Sequence, residues 1–254
     1  MTHLVFFGDS YAAGHELYPD NVGTWPSGVG EKPGCQLCFP RIIGKDYEKT
    51  SNLSKGGASI GSYIEQLREF DKIYKKDEDF LLVVELTQHL RHYWYDEKLG
   101  WISLYPGVSK FEPHYKEAQE KWEKEYFSPM HCKIEWYKTI SMIQGYCKDK
   151  DNIKDVYIES CDVSPHVPEF EHLIDRNRLW TKPVYKECFF VEAQLPLEEL
   201  MKTTRDYSSM HFSTFTKTDN FQKYYNGHMM HPNAEGHVVL AKAFKEIIDK
   251  LCTQ

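Results

Sequence analysis

Two short segments, one near each end of the chain, carry residue types that together can perform acyl transfer. They are Gly8-Asp9-Ser10, directly after the apolar run Leu4-Val5-Phe6-Phe7, and His231-Pro232, just ahead of a last amphipathic stretch. A serine hydroxyl is a weak nucleophile at neutral pH and needs a neighbouring general base, for which an imidazole titrating near neutrality is the usual choice. Almost the whole chain separates the two, so they can meet only if the fold brings them together. A parallel α/β sheet does this, because it gathers the C-terminal ends of its strands along one edge. Alone, Asp9 and Ser10 have a plainer role as caps of a following helix. Their combination with His231 and the glycine block Gly56-Gly57-Ala58-Ser59 points to catalysis, with Gly8 and Ala12-Ala13-Gly14 keeping the Ser10 turn uncrowded.

A second serine competes for the nucleophile's role. Gly57-Ala58-Ser59-Ile60-Gly61 matches the G-x-S-x-G elbow of α/β-hydrolases and lies between a predicted strand and helix. The preceding strand ends in polar Asn52-Leu53-Ser54-Lys55 and is only the second in order, whereas that elbow follows several strands, so Ser10 ranks first and Ser59 is expected to cap a helix. Metal chemistry ranks lower. His228 and His231, with His89, His92 or His211, lack a zinc-binding spacing and an acidic ligand cluster, so no metal or other cofactor is expected. The Cys35-x-x-Cys38 pair has no second close Cys or His pair beside it.

Positioning these residues requires alternating strands and helices. The pattern predicts strands at 3–8, 46–53, 80–84 and 156–158, and helices at 36–44, 60–75, 113–126, 130–147 and from Pro232 onward. In the 60–75 helix, Ile60, Tyr63, Ile64, Leu67, Phe70 and Tyr74 form one apolar stripe. Phe80-Leu81-Leu82-Val83-Val84 reads as a central strand covered on both faces. Pro232 suits a first helical turn. Segments 88–112 and 162–230 are too long for plain connections and are expected to wall or cover a pocket. Tyr93-Trp94-Tyr95, Trp101 and Tyr105 concentrate aromatic rings there, either packing that segment or offering flat faces to a sugar or acyl chain.

Composition sets the outer bounds. The 254 residues suffice for one α/β domain, and no linker or repeat divides them. A net charge of −7 with no basic tract argues against a nucleic-acid partner. No apolar run reaches the ~18 residues of a membrane span. A strand beginning at residue 3 or 4 leaves no room for a signal peptide, and seven scattered cysteines fit reduced thiols, so a cytoplasmic protein is expected.

Taken together, Gly8-Asp9-Ser10 after a first strand, the Gly56–Ser59 block and His231-Pro232 before a terminal helix resemble the conserved blocks of the SGNH/GDSL hydrolases. The resemblance spans nearly the whole chain. It implies a flavodoxin-like three-layer α/β/α sandwich with a mostly parallel sheet, and metal-independent hydrolysis of an ester or thioester. It also implies an oxyanion hole built from the Ser10 amide, the Gly57 amide and a third side chain. Relatives supply that side chain as asparagine after the third strand, whereas this chain reads Glu85-Leu86-Thr87-Gln88-His89-Leu90-Arg91, leaving Thr87, Gln88 or Arg91 as donors. Relatives often carry aspartate three residues before the histidine, where this chain has His228. The machinery is then a Ser10–His231 dyad supported by His228 or a backbone carbonyl, or a triad completed by a carboxylate such as Glu85 or Asp162. The expected substrate is a small-molecule or glycan ester, such as an O-acetylated carbohydrate. The reading from another class is a non-catalytic binding or structural protein on the same fold.

Overall fold

A computed structural model describes residues 2–14, 17, 37–87, 89–105, 113–160, 165–182, 184 and 232–253. Their central element is a sheet of five strands, β1 (Thr2–Phe7), β2 (Lys49–Asn52), β3 (Asp79–Leu86), β6 (Ile153–Glu159) and β7 (Leu179–Trp180), in the order β2-β1-β3-β6-β7. Every neighbouring pair is parallel. Numbered within the sheet this is 2-1-3-4-5, the flavodoxin-like doubly wound order, so the expected fold class is the one observed.

Side-chain alternation along the buried strands builds a layer on each face. Val5 and Phe7 of β1 and Leu82, Val84 and Leu86 of β3 pack with Phe70 of α2 (Tyr63–Ile73) and Ile140 of α4 (Pro129–Lys148). Leu4, Phe6, Leu81 and Val83 face the other way, onto Phe39 of α1 (Phe39–Gly44) and Phe244 of α5 (Ala234–Cys252). Both faces of β1 and β3 are therefore covered, which explains their continuous apolar runs.

Two local expectations are corrected. The 60–75 stripe begins as a 3-10 turn over Ile60–Ser62, and Ile64 is exposed while Gln66 is buried in its place. Reciprocal hydrogen bonds between Gln66 and the Gly8 backbone draw that polar side chain inward and set the buried face along 63, 66, 67 and 70. Pro232 is not in the terminal helix. It forms a β-bridge, and Asn233 caps α5 by accepting a bond from the Gly236 amide at 3.0 Å. Within 88–112 the chain folds an antiparallel hairpin, β4 (His92–Asp96) and β5 (Gly100–Leu104), which packs through Ile102 and Leu104 on Trp122 of α3 (Lys116–Glu125). Asp96 shapes its turn by accepting from the Lys98 and Leu99 amides, and Gly100 takes φ +74°. Among the described residues no helix is long and apolar enough to cross a membrane.

Candidate active site

Ser10 lies just beyond the C-terminal end of β1, beside the end of β3. Strand order reverses there, and open α/β sheets bind ligands in the crevice at that point. The turn that carries Ser10 admits only a glycine at position 8. A Cβ there would stand 2.3 Å from Oε2 of Glu85 and 2.7 Å from the Cβ of Ala12. Both backbone groups of Gly8 are held by one side chain. Its N–H donates to Oε1 of Gln66 at 2.8 Å, and its carbonyl accepts from Nε2 of Gln66 at 2.9 Å and from the Lys55 amide at 3.1 Å.

Asp9 extends this clamp. Its amide donates to Oε2 of Glu85 at 3.4 Å, and its Oδ1 accepts from the Tyr11 amide at 2.9 Å. Its Oδ2 accepts from the Thr87 hydroxyl at 2.7 Å and lies 3.7 Å from Nη1 of Arg91. With both oxygens engaged, the Asp9 carboxylate organises the turn. The local capping role therefore falls to Asp9, closing a single turn in which the Ala13 amide reaches the Asp9 carbonyl at 2.9 Å. No helix starts at Ser10 within residues 11–14, contrary to the capped helix considered from sequence. Ser10 is buried.

The end of β3 is fixed from α2. The Tyr63 hydroxyl donates to the Glu85 carbonyl and accepts from the Thr87 amide at 3.1 Å. Complete burial, with the Asp9 and Glu85 carboxylates nearby, pushes this phenol well above its ordinary range, so it stays protonated and keeps donating. Thr87, expected as an oxyanion donor, spends its hydroxyl proton on Asp9 and its amide proton on Tyr63. Arg91 donates through Nη1 to the Ala58 carbonyl at 3.2 Å, lies over the Tyr105 ring at 5.2 Å, and buries Nε with no partner among the described residues. Of the two described candidates for the oxyanion, Thr87 and Arg91, Arg91 keeps an uncommitted donor in Nε.

Gly57 occupies the turn between β2 and the Ile60–Ser62 segment at φ +64°, a conformation that favours glycine. Ser59 follows it, fully buried, with a hydroxyl that has no partner among the described residues. Ser59 takes the N-cap position of the Ile60–Ser62 turn, as expected, in a capping box with Ser62, whose hydroxyl accepts from the Ser59 amide at 3.1 Å and donates to its carbonyl at 2.7 Å.

His228, His231, Gln88, His211, Cys35 and Asp162 lie outside the described residues. The helix that follows His231-Pro232 is anchored at its first turns: Nδ1 of His237 accepts from the Phe39 amide at 3.2 Å, and the His237 ring stacks on Phe39. His92, named in the metal reading, stacks on Trp122 and meets His131 edge-on at 5.2 Å, and burial lowers its pKa. Among the described residues, no group of three or more His, Cys, Asp or Glu side chains is placed to hold a metal ion.

Sequence reasoning missed Gln66 and Tyr63. The signal for Gln66 was a polar residue inside an apolar helical stripe. Tyr63 gave none, since a tyrosine on such a stripe reads as core.

No family model and no curated protein matches the chain. Among solved structures it is similar to a lipolytic protein of the G-D-S-L family from Veillonella parvula DSM 2008, at 12% identity and a TM-score of 0.41 over 97% of this chain and 98% of that one. It is also similar to Axe2, an acetylxylan esterase from Geobacillus stearothermophilus, at 15% identity and a TM-score of 0.43 over 97% and 93%. A carbohydrate esterase whose active site has divergent catalytic and non-catalytic binding functions aligns at 14% identity and a TM-score of 0.42 over 99% and 65%. At these scores the likenesses assign no activity. The fold rests on the chain's own parallel 2-1-3-4-5 sheet, with Ser10 at its switch point.

Proposed function

We propose that the protein is a serine ester hydrolase of the SGNH/GDSL type, acting on a small acyl ester such as an O-acetyl group of a carbohydrate. The observation that carries this reading is the Ser10 turn. It stands at the sheet's switch point, and two separate elements hold it, α2 through Gln66 and the end of β3 through Glu85 and Thr87. A scaffold this specific supports a nucleophile whose position matters, because catalysis depends on near-attack geometry.

In this mechanism Ser10 Oγ attacks the ester carbonyl while His231 takes its proton. The Ser10 and Gly57 amides, with Arg91, Gln88 or Thr87, receive the developing oxyanion. Collapse of the tetrahedral intermediate expels the alcohol, which leaves with the proton held by His231. Water, deprotonated by the same imidazole, then releases the acid from Ser10. His228 or a carboxylate orients His231. The serine and these donors supply nucleophile and electrophile, so the reaction needs no metal. The thiols of Cys132, Cys147 and Cys252 support a reducing, cytoplasmic setting.

A fluorophosphonate label followed by peptide mapping tests the reading. Modification at Ser10 supports it and modification at Ser59 reassigns the nucleophile. Absence of labelling, together with absence of p-nitrophenyl acetate hydrolysis, leaves the non-catalytic binding protein.

A further inference from the structure

The outer face of the β4–β5 hairpin carries aromatic rings that neither the core nor the proposed reaction uses. Register places Tyr95 opposite Trp101 and Trp94 opposite Ile102, so alternate residues fall on opposite faces. Trp94 and Ile102 join the cluster around Trp122, while Tyr93, Tyr95 and Trp101 share the other side. There the Tyr93 and Trp101 rings stack at 4.7 Å with an interplanar angle of 18°, and Tyr95 meets Trp101 edge-on at 5.3 Å. Tyr93 is itself held in place. Its hydroxyl donates to Glu65, and a Cβ at Gly61 would lie 3.1 Å from its own. Trp101 is nevertheless 60% exposed and Tyr95 56%. A flat indole, oriented on one side by an anchored ring, is thus presented to solvent.

The surrounding charges select the kind of ligand. Lys55 pairs with Glu65 at 2.7 Å and Lys98 with Glu117 at 2.9 Å, while Asp96 accepts from two backbone amides. The two Lys–Glu pairs offer hydrogen-bonding groups with mutually compensated charge, and the Asp96 carboxylate adds an acceptor for hydroxyl groups, which suits a neutral, hydroxyl-rich molecule with apolar ring faces. The platform also continues from the crevice. Arg91, bonded to the Ala58 carbonyl and 3.7 Å from Asp9, lies two residues before Tyr93. At about 3.3 Å per extended residue, Tyr95 stands about 13 Å further along the strand than Arg91. A ligand reaching from the Ser10 turn to Trp101 must then be an oligomer.

We propose that Trp101 and Tyr95 form a distal stacking subsite for a neutral oligosaccharide chain. As the subsite of an ester-bearing glycan it rests on the hydrolase reading above, but its binding can be measured without turnover. Calorimetric titration with cellohexaose and with maltohexaose should give a millimolar or tighter dissociation constant for at least one of them. That affinity should weaken tenfold or more in Trp101→Ala and in Tyr95→Ala, and return largely in Trp101→Tyr, which keeps a flat ring. If Trp101→Ala fails to fold, Tyr95→Ala and Trp101→Tyr still decide the matter. The proposal is overturned if neither sugar binds, or if binding is indifferent to these rings. It also falls if the substitutions raise the KM for p-nitrophenyl laurate while no sugar binds, since the platform then serves an acyl chain. Sugar binding without any esterase activity would refute the hydrolase and keep the subsite.

Discussion

Replacing Gln66 by methionine separates the clamp from the packing around it. The side chain is fully buried and methionine nearly matches its volume, so the chief change is the loss of two hydrogen bonds to Gly8. The Gly8 carbonyl keeps the Lys55 amide at 3.1 Å, but its N–H is left buried without a partner. An orphaned donor costs about 1–3 kcal/mol, and the lost carbonyl bond adds up to ~1 kcal/mol. The expected destabilisation of roughly 1–4 kcal/mol should lower Tm by about 2–16 °C in a domain of this size. Because the same bonds hold the turn that carries Ser10, kcat should fall at least tenfold while KM changes little. Gln66→Glu gives the complementary result. The acid form can still donate to the Gly8 carbonyl, and burial beside Glu85 raises the new carboxyl's folded pKa above its unfolded value. The folded state then binds more protons than the unfolded one between those two values, so stability and activity should decline as pH rises through that window. Differential scanning calorimetry and p-nitrophenyl acetate kinetics read both effects. A Gln66→Met protein with unchanged Tm and unchanged kcat would refute the claim that this side chain positions the nucleophile.

Ser10→Ala and His231→Ala should each abolish ester hydrolysis with little change in Tm, and the double variant should be no slower than either single one; a multiplicative loss would dissolve the pairing. Tyr63→Phe removes the hydroxyl between the Glu85 carbonyl and the Thr87 amide and should cost about 1–3 kcal/mol in urea unfolding, with an unchanged midpoint counting against that bridge. Bonds from Arg176 hold the Glu171 carboxyl down at about 2, so its stabilisation is present above its ordinary value near 4.5 and is lost as pH falls toward 2. Glu171→Gln should flatten the decline of Tm between pH 5 and 2, and an unaltered slope would assign that decline to other carboxylates.

The parts of the fold that announce themselves in the sequence are those whose pattern has one physical cause. Leu4–Phe7 and Phe80–Val84 are apolar throughout because helices cover both faces of their strands, and the 130–147 helix shows because its burial follows a single period. The β4–β5 hairpin is less legible. His92-Tyr93-Trp94-Tyr95 puts large aromatic rings on both of its faces, one packed on Trp122 and one open to solvent, so no alternation of apolar and polar residues marks a strand. Pro232 misled for a different reason. The proline rule locates a helix start to within a residue or two, but the Asn233 side chain fixes the cap, and the proline falls outside it.

At the site, the Gly-Asp-Ser motif located the turn, while its supports come from residues that no short pattern joins. Gln66 lies 58 residues from Gly8 and Thr87 lies 78 from Asp9, so both contacts exist only once β1, α2 and β3 are packed side by side. Their chemistry still leaves a trace. A buried amide or carboxylate is retained against a desolvation cost that an apolar residue would not incur, so it persists where its bonds fix a geometry the molecule requires. Gln66, Glu85 and Asp9 each sit at a buried position flanked by apolar core, and their bonds converge on Gly8 and the turn that begins there. That convergence, more than the motif itself, distinguishes Ser10 from Ser59. The Ser59 turn is closed locally by Ser62, with one long-range bond from Arg91 to the Ala58 carbonyl, whereas the bonds around Ser10 draw both α2 and the end of β3 onto one short stretch of backbone.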